Sequence, residues 1–123
     1  MVADSSFLVE AILKKSELLS GEWILTADLA VYEVANSIWK HQFVLKDIED
    51  GASFLSIFYE LIESGGINII RYTKRMLVEA YALAGKHKLT VYDAIFLHLA
   101  LETGMQLKTL DARLLRIFGS EAD

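Results

Sequence analysis

The apolar positions of the chain fall into short runs and helically spaced sets, and three glycine-bearing segments separate several of these blocks. The segments are Ser20-Gly21, Ser64-Gly65-Gly66 and Thr103-Gly104. Short apolar runs predict strands at residues 2–3, 23–26, 67–70 and 105–110. Apolar residues spaced three or four apart predict helices over residues 7–15, 28–40, 47–63, 73–88, 90–102 and 111–118.

Short strands that alternate with helices predict an α/β fold. Parallel neighbours need crossover connections, so we expect a three-layer α/β/α sandwich with a short, mainly parallel central sheet. The length of 123 residues fits a single domain over residues 1–123. Ligands of such sheets bind beyond the carboxyl ends of the strands. Asp4 and Asp111 each follow a predicted strand and begin a predicted helix, so both are expected at this edge.

Composition narrows the class of protein. A hydrophobic fraction of 54% with 24% charged residues excludes a disordered chain. No uninterrupted apolar run reaches the roughly 18 residues of a membrane span, so no membrane association is expected. The N-terminal residues lack an export signal, and the absence of cysteine excludes disulfides, so we expect a reducing cytoplasm. The apolar surplus favours burial in a subunit interface, which predicts an oligomer.

Two further acidic residues, Glu33 and Asp93, lie within apolar helical segments. Burial of an ionised carboxylate costs free energy unless the group is paired, hydrogen-bonded or bound to a metal. The formal net charge of the chain is −5. Glu33 and Asp93, together with Asp4 and Asp111, account for four of these negative charges, so the rest of the chain is nearly neutral. If the four converge, their pocket would take up protons or cations, and carboxylates are ligands that Mg²⁺ and Mn²⁺ favour.

Each of these acidic residues also has a purely structural interpretation. Asp4 and Asp111 can cap the helices that follow them, and Asp93 can form a capping box with Thr90. Glu33 can face solvent on a polar stripe of its helix. Taken singly, each residue favours the structural interpretation, whereas the four together favour a site.

Four segments around these residues resemble the signature segments of PIN-domain ribonucleases, above all of VapC-type toxins from toxin–antitoxin pairs. They cover residues 4–9, 33–40, 89–94 and 109–114, and their order and spacing match as well. The sequences Leu-Thr-Val-Tyr-Asp-Ala and Thr-x-Asp-x-x-Leu in the last two segments carry the resemblance most specifically. It extends from Val2 to about Arg116, so that a single PIN-like domain is expected.

The resemblance implies cleavage of RNA by a metal-dependent acidic quartet of Asp4, Glu33, Asp93 and Asp111. It also implies that three polar residues support the quartet, namely Ser6, Asn36 and Thr109. The chemistry of the residue types agrees, because one or two bound Mg²⁺ or Mn²⁺ ions can supply a nucleophilic water and neutralise phosphoryl oxygens. We expect the three aspartates to be metal ligands and Glu33 to orient a water or complete a second metal site.

Basic residues near the quartet are candidates for RNA binding, and we consider Arg113, Lys14 and Lys40. The position of Arg113 close to Asp111 favours a role in the site. Lys14 and Lys40 end predicted helices, where a lysine also complements the helix dipole, and the sequence leaves both interpretations open. The net acidic charge stands against strong binding of a polyanion.

The resemblance further implies a homodimer and a small antitoxin protein that grips the toxin and inserts a segment near the acidic pocket. An arginine of that partner could occupy the pocket. We predict that the antitoxin lands on the first helix and the turn after it, at Leu8, Ile12, Leu18 and Leu19. The alternative is that these residues close the core.

Other enzyme families of similar fold do not fit the residues near Asp4. A response-regulator receiver and a haloacid dehalogenase both need further acidic residues near Asp4, where Ser5 and Ser6 stand instead. A catalytically silent PIN-like binding or scaffold module remains the alternative, and an assay for metal-dependent RNA cleavage discriminates between the two. His98 lies off the helical face of Asp93 and is predicted to be a packed core histidine rather than a ligand.

Overall fold

The computed structural model describes residues 1–123, and its four strands form one parallel sheet. Their order across the sheet is β3-β2-β1-β4. Every neighbouring pair is parallel, as the alternation of strands with helices predicts. The strands are β1 (Val2–Ala3), β2 (Ile24–Ala27), β3 (Ile67–Ile70) and β4 (Leu107–Lys108).

Six α-helices connect and cover these strands, and a short 3-10 helix (Ser16–Leu19) follows the first of them. The helices are α1 (Ser5–Lys14), α2 (Leu29–Phe43), α3 (Gly51–Glu63), α4 (Lys74–His87), α5 (Val91–Thr103) and α6 (Ala112–Ala122). None of them combines the length and the apolar character that a membrane crossing requires.

The direction of the crossovers explains the three layers. The connections from β1 to β2 and from β2 to β3 run one way across the sheet, and the connection from β3 to β4 runs back. Because such crossovers are right-handed, reversal of direction moves the helices to the opposite face. Accordingly α1, α2 and α3 pack together, and α4, α5 and α6 pack together, which confirms the predicted α/β/α sandwich.

Side-chain caps start the helices at the residues where the sequence suggests them. Asp4 accepts a hydrogen bond from the backbone N–H of Phe7, and Thr90 accepts one from that of Asp93. These oxygens satisfy donors that the first helical turn leaves without an internal partner. The structural interpretation of Asp4 is therefore correct as far as the cap is concerned.

Helix α3 begins later than predicted. The cap is Asp50, whose carboxylate accepts a hydrogen bond from the N–H of Ser53, rather than a residue near Asp47. Gly51 then lies against α2, where a β-carbon would come within 2.7 Å of Gln42 Oε1, so that a larger residue would require the Gln42 side chain to move. Its N–H donates to the same oxygen at 2.9 Å.

Strand β4 is shorter than the predicted run of residues 105–110. Its partner β1 has only two residues, so that only the pairs Val2 with Leu107 and Ala3 with Lys108 can form. Lys108 also accepts a hydrogen bond from the N–H of Asp4 at 3.0 Å. The short first strand thus sets the length of its neighbour and ends both strands at the same edge.

Helix α5 forms the centre of one helical layer. Its residues Ala94 to Ala100 are all buried, because α4, α6 and three of the strands surround it. This arrangement fixes the first turn of α5, which carries Asp93, beside the carboxyl ends of β1 and β4. The sheet changes connection direction between these two strands, which is where ligands of open α/β sheets bind.

Candidate active site

Asp4 lies at the carboxyl end of β1 and is 7% exposed. Its Oδ1 accepts hydrogen bonds from Ser6 Oγ at 2.7 Å and from the N–H of Phe7 at 3.0 Å. Its Oδ2 accepts a hydrogen bond from Thr109 Oγ1. Burial of a carboxylate costs free energy unless hydrogen-bond donors surround it, and three donors do so here. Asp4 therefore both caps α1 and anchors a network of side chains.

Ser6 and Thr109 attach the segment after β4 to Asp4. Ser6 Oγ accepts a hydrogen bond from the N–H of Leu110 at 3.0 Å, and Thr109 Oγ1 accepts one from the N–H of Asp111 at 3.1 Å. Each hydroxyl thus accepts from the backbone and donates to the carboxylate of Asp4. This pairing orients both carboxylate oxygens and fixes the start of α6 relative to β1.

Glu33 reaches the same edge from α2. It is half-buried, and its Oε1 accepts a hydrogen bond from Ser5 Oγ at 2.6 Å. Since Ser5 directly follows Asp4, this contact holds the Glu33 carboxylate at the amino end of α1. Glu33 therefore does not face solvent freely on a polar stripe, and its role in the quartet stays a prediction. Sequence reasoning did not identify Ser5, and its position next to Asp4 was the available signal.

Asp93 lies in the first turn of α5 and faces two other acidic residues. Burial raises the pKa of Asp93, and the negative charges of Asp111 and Asp4 raise it further. A hydrogen bond with Thr90 and the positive charge of Arg113 act on this pKa in the opposite direction. The three aspartates therefore interact electrostatically, as expected for carboxylates that converge on one pocket.

Asp111 is exposed and caps α6. Its Oδ1 accepts hydrogen bonds from the N–H groups of Arg113 at 2.9 Å and Leu114 at 3.2 Å. Its Oδ2 makes no hydrogen bond. The cap leaves one oxygen free, so that the structural and functional interpretations of Asp111 are compatible.

Asn36 and Lys40 share a face of α2 with Glu33, because three and four residues separate them. Both are exposed, and neither makes a side-chain hydrogen bond. Asn36 lies one helical turn beyond Glu33 along α2, and its support of the quartet stays a prediction. Lys40 lies two turns beyond Glu33, about 10 Å along the helix axis.

Lys14 lies at the opposite end of α1 from Asp4. Ten residues separate the two along the chain, which corresponds to about 15 Å along the helix axis. Its Nζ forms an exposed ion pair with Glu10 at 3.5 Å. Lys14 therefore lies away from the edge at which α1 starts, and its contact with RNA stays a prediction.

Arg113 lies near the pocket, and one nitrogen of its guanidinium is already hydrogen-bonded. Nη2 donates hydrogen bonds to the carbonyl oxygens of His87 at 2.7 Å and Lys88 at 3.3 Å. Lys88 adopts the left-handed conformation with φ +55°, which ends α4 and leaves these carbonyl oxygens in need of donors. Arg113 thus joins the start of α6 to the turn between α4 and α5 while its charge acts on Asp93.

The predicted landing surface of a partner protein is largely absent. Leu8, Ile12 and Leu19 are buried in the core, and only Leu18, at 39% exposure, lies on the surface. The alternative that these residues close the core is correct for three of the four. An apolar cavity of about 690 Å³ lies elsewhere, between α2 and α3. Its lining includes Val31, Tyr32, Ala35, Leu55, Phe58 and Tyr59.

Comparison with known proteins agrees with the sheet topology. The family model of the PIN domain matches residues 1–118. The chain belongs to the PIN-domain family. This PIN domain is 39% identical over 95 residues to Ribonuclease VapC3 of Pyrobaculum aerophilum, and the match covers 76% of this chain and 70% of that one.

Two solved structures share the fold of this PIN domain. The crystal structure of PAE2754 from Pyrobaculum aerophilum superposes with a TM-score of 0.75 at 21% identity, covering 98% of this chain and 88% of that one. A toxin–antitoxin complex from Klebsiella pneumoniae gives a TM-score of 0.64 at 17% identity, covering 89% and 85%. Both structures support the three-layer architecture.

Proposed function

We propose that this PIN domain is a Mg²⁺- or Mn²⁺-dependent endoribonuclease and the toxin of a VapBC-type toxin–antitoxin pair. The observation that carries the proposal is the mutual approach of Asp4, Asp93 and Asp111 at the carboxyl edge of the sheet, with Glu33 held beside them through Ser5. The similarity to Ribonuclease VapC3 supports the same activity and RNA as the substrate.

The donor set fits a hard divalent cation. Only carboxylate oxygens converge, without thiolate or imidazole groups, and Mg²⁺ and Mn²⁺ prefer such oxygen ligands. Asp93 and the free Oδ2 of Asp111 would bind the ion together with Asp4. A bound ion of this kind supplies activated water and neutralises charge on the phosphoryl oxygens.

The residues of the chain itself position the substrate and the reacting groups. Ser6 and Thr109 orient the carboxylate of Asp4, and Ser5 orients that of Glu33. Glu33 would then hold a proton of the attacking water. Fixed carboxylates need no reorganisation during the reaction, which is how a preorganised site lowers a barrier.

We propose that the RNA strand follows α2 away from the pocket. Asn36 and Lys40 extend the face of α2 that begins with Glu33, and both are exposed. Lys40 would contact a phosphate one or two nucleotides from the cleaved bond. Arg113 would act on the substrate through its charge and through its remaining donors, since only Nη2 is bound to the turn before α5.

The decisive assay is cleavage of a defined RNA pool by the purified chain with EDTA, Mg²⁺ or Mn²⁺, followed by sequencing of the new 5′ ends. Activity is expected only with a metal, and Asp93→Asn is expected to abolish it. Glu49→Gln serves as the matched control, because this exposed side chain makes no hydrogen bond and lies on the loop between α2 and α3. Metal-independent cleavage, or cleavage by Asp93→Asn, contradicts the assignment, and complete inactivity supports the silent binding module.

We propose separate surfaces for the antitoxin and for a second copy of the chain. The apolar cavity between α2 and α3 exposes Tyr32 and Leu55 and would accept an apolar segment of the antitoxin. On α4, Leu77, Val78 and Tyr81 form an exposed apolar stripe that would pair with its copy in a homodimer. Large exposed apolar patches are unusual on monomers.

Two substitutions test these surfaces, and each is the control for the other. Leu55→Asp is expected to release a co-expressed antitoxin while leaving the dimer intact in light scattering. Val78→Asp is expected to give a monomer that still binds the antitoxin. The same loss in both variants, or none in either, contradicts the assignment of the surfaces.

A further inference from the structure

A second cluster of metal-binding groups lies between α4 and α5, away from the aspartates. It consists of Glu79 on α4 together with His98 and Glu102 one turn apart on α5. Glu102 is nine residues from Asp93, about 13.5 Å along the helix axis, so that the cluster lies toward the opposite end of α5. The proposed nuclease activity makes no use of these residues.

The ligand atoms of the cluster already have the spacing of a coordination site. His98 Nε2 lies 3.2 Å from Glu79 Oε2 and 2.9 Å from Glu102 Oε2. Ligands about 2.0–2.1 Å from a tetrahedral Zn²⁺ ion are separated from one another by roughly 3.3 Å. Three protein ligands at this spacing leave a fourth position for water.

His98 supplies an independent indication of a ligand. The residue is 5% exposed, and its Nε2 has no hydrogen-bond partner, although two carboxylate oxygens lie 2.9 Å and 3.2 Å away. A buried polar atom without a partner normally costs free energy. Here the nitrogen points between two carboxylates, where a cation would satisfy all three groups at once.

Arg75 fixes the two carboxylates in this orientation. Its Nε contacts Glu79 Oε1 and its Nη2 contacts Glu102 Oε1, each at 3.0 Å. The arginine thus uses one oxygen of each glutamate and leaves the other for the site. The two glutamates carry two negative charges and Arg75 carries one positive charge. One negative charge is therefore left over when the imidazole of His98 is neutral.

We propose that Glu79, His98 and Glu102 bind a divalent transition metal of the Zn²⁺ class, which clamps α4 against α5. The mixed imidazole and carboxylate set favours Zn²⁺ over Mg²⁺, because imidazole is a ligand of the softer ions. The alternative occupant is a proton on His98, which would make the cluster an ion-pair network without a metal.

The test is a calorimetric titration with Zn²⁺ in an Asp4→Asn/Asp93→Asn background, which weakens binding at the acidic pocket. One equivalent of Zn²⁺ is expected to bind, and saturation is expected to raise Tm by about 5 °C. Glu79→Gln and Glu102→Gln should each weaken the affinity by at least about 100-fold, since even residues that only support a ligand change it 10–100-fold. Mg²⁺ should give no comparable signal.

Glu121→Gln is the matched control, because Glu121 also accepts from a lysine and a histidine but belongs to no metal-binding set. It should keep the full affinity for Zn²⁺. Absence of binding, or binding that both glutamate variants retain, overturns the proposal and leaves the protonated network. If one of the two glutamate variants is unstable, the visible absorption of bound Co²⁺ provides a second readout for the other. Loss of that absorption in the stable variant supports the metal site, and its retention overturns the proposal. Neither result depends on nuclease activity.

Discussion

At the residue scale, the same carboxylate serves folding and the candidate site. Asp4 caps α1, and its two oxygens are fixed by Ser6 and Thr109. Asp111 caps α6 through one oxygen and leaves the other free. Capping holds a side chain in a single rotamer at the end of a rigid element, which is the precision that a metal ligand needs.

Replacement of Asp93 by asparagine is expected to stabilise the metal-free chain near neutral pH. The folded chain raises the pKa of Asp93, chiefly through burial and through Asp111 and Asp4. The protonated carboxyl of Asp93 therefore stabilises the folded chain. This stabilisation is fully present below the ordinary pKa of 3.8, and it is lost as the pH rises through the raised pKa of Asp93 in the folded chain. Thermal unfolding in EDTA should give Asp93→Asn a higher Tm than the wild type at pH 7. This advantage should shrink at pH 3.5, and an advantage independent of pH contradicts the electrostatic explanation.

Thr109→Val is expected to lower both stability and RNA cleavage. The substitution removes the donor to Asp4 and the acceptor for the N–H of Asp111, at a cost of about 1–3 kcal/mol for buried groups left unpaired. Urea unfolding measures the stability, and initial rates of RNA cleavage with saturating Mn²⁺ measure the activity, which should fall at least about tenfold. Thr109→Ser keeps the hydroxyl and should retain most of both. Equal losses in the two variants would show that the methyl group matters rather than the hydrogen bonds.

At the scale of elements, the turn between α4 and α5 determines where Asp93 lies. Lys88 ends α4 in the left-handed conformation, and Thr90 caps α5 two residues later. Arg113 of α6 donates to carbonyl oxygens of this turn. The first turn of α5 is thus fixed by a local cap and by a neighbouring helix together.

Lys88→Gly is expected to stabilise the chain by about 1 kcal/mol, because glycine adopts a φ of +55° without the steric cost that a side chain has there. Chemical denaturation measures the change. Ala82→Gly, at an exposed position within α4, is the control and should destabilise by about 1 kcal/mol. A destabilised Lys88→Gly variant would indicate that the lysine side chain itself contributes to the turn.

At the scale of the whole molecule, two candidate cation sites lie toward opposite ends of α5. The aspartates gather at its first turn, and the cluster of Glu79, His98 and Glu102 lies toward its last. The groups differ in ligand chemistry, since one offers only carboxylates and the other includes an imidazole. They should therefore respond to different ions.

Mn²⁺ is expected to raise the Tm of the wild-type chain and of Glu79→Gln, but not that of Asp93→Asn. At a free concentration ten times the Kd, a ligand that binds only the folded state adds about 1.4 kcal/mol, or a few degrees in Tm. Differential scanning fluorimetry in EDTA and in Mn²⁺ measures the shift. If Asp93→Asn keeps the Tm shift and Glu79→Gln loses it, Mn²⁺ binds at the cluster between α4 and α5, and the prediction is wrong.

The sequence determined the order and type of the elements and the identity of the acidic residues. Helical spacing, short apolar runs and capping residues are local properties, because each depends on neighbours within a few positions. Thus the positions of β1, β3, α4 and α5 follow from pattern alone, as does the parallel sheet. The resemblance in four short segments selected Asp4, Glu33, Asp93 and Asp111 among the seventeen acidic residues.

The tertiary structure decided which distant residues touch. The two-residue length of β1 shortened β4, the direction of α1 carried Lys14 away from Asp4, and burial removed Leu8 from the expected partner surface. Contacts such as Ser5 with Glu33, Arg113 with the turn before α5, and His98 with Glu79 join separate parts of the chain. No local pattern encodes them, since they depend on how helices pack across the sheet, and packing is a property of the whole set of elements.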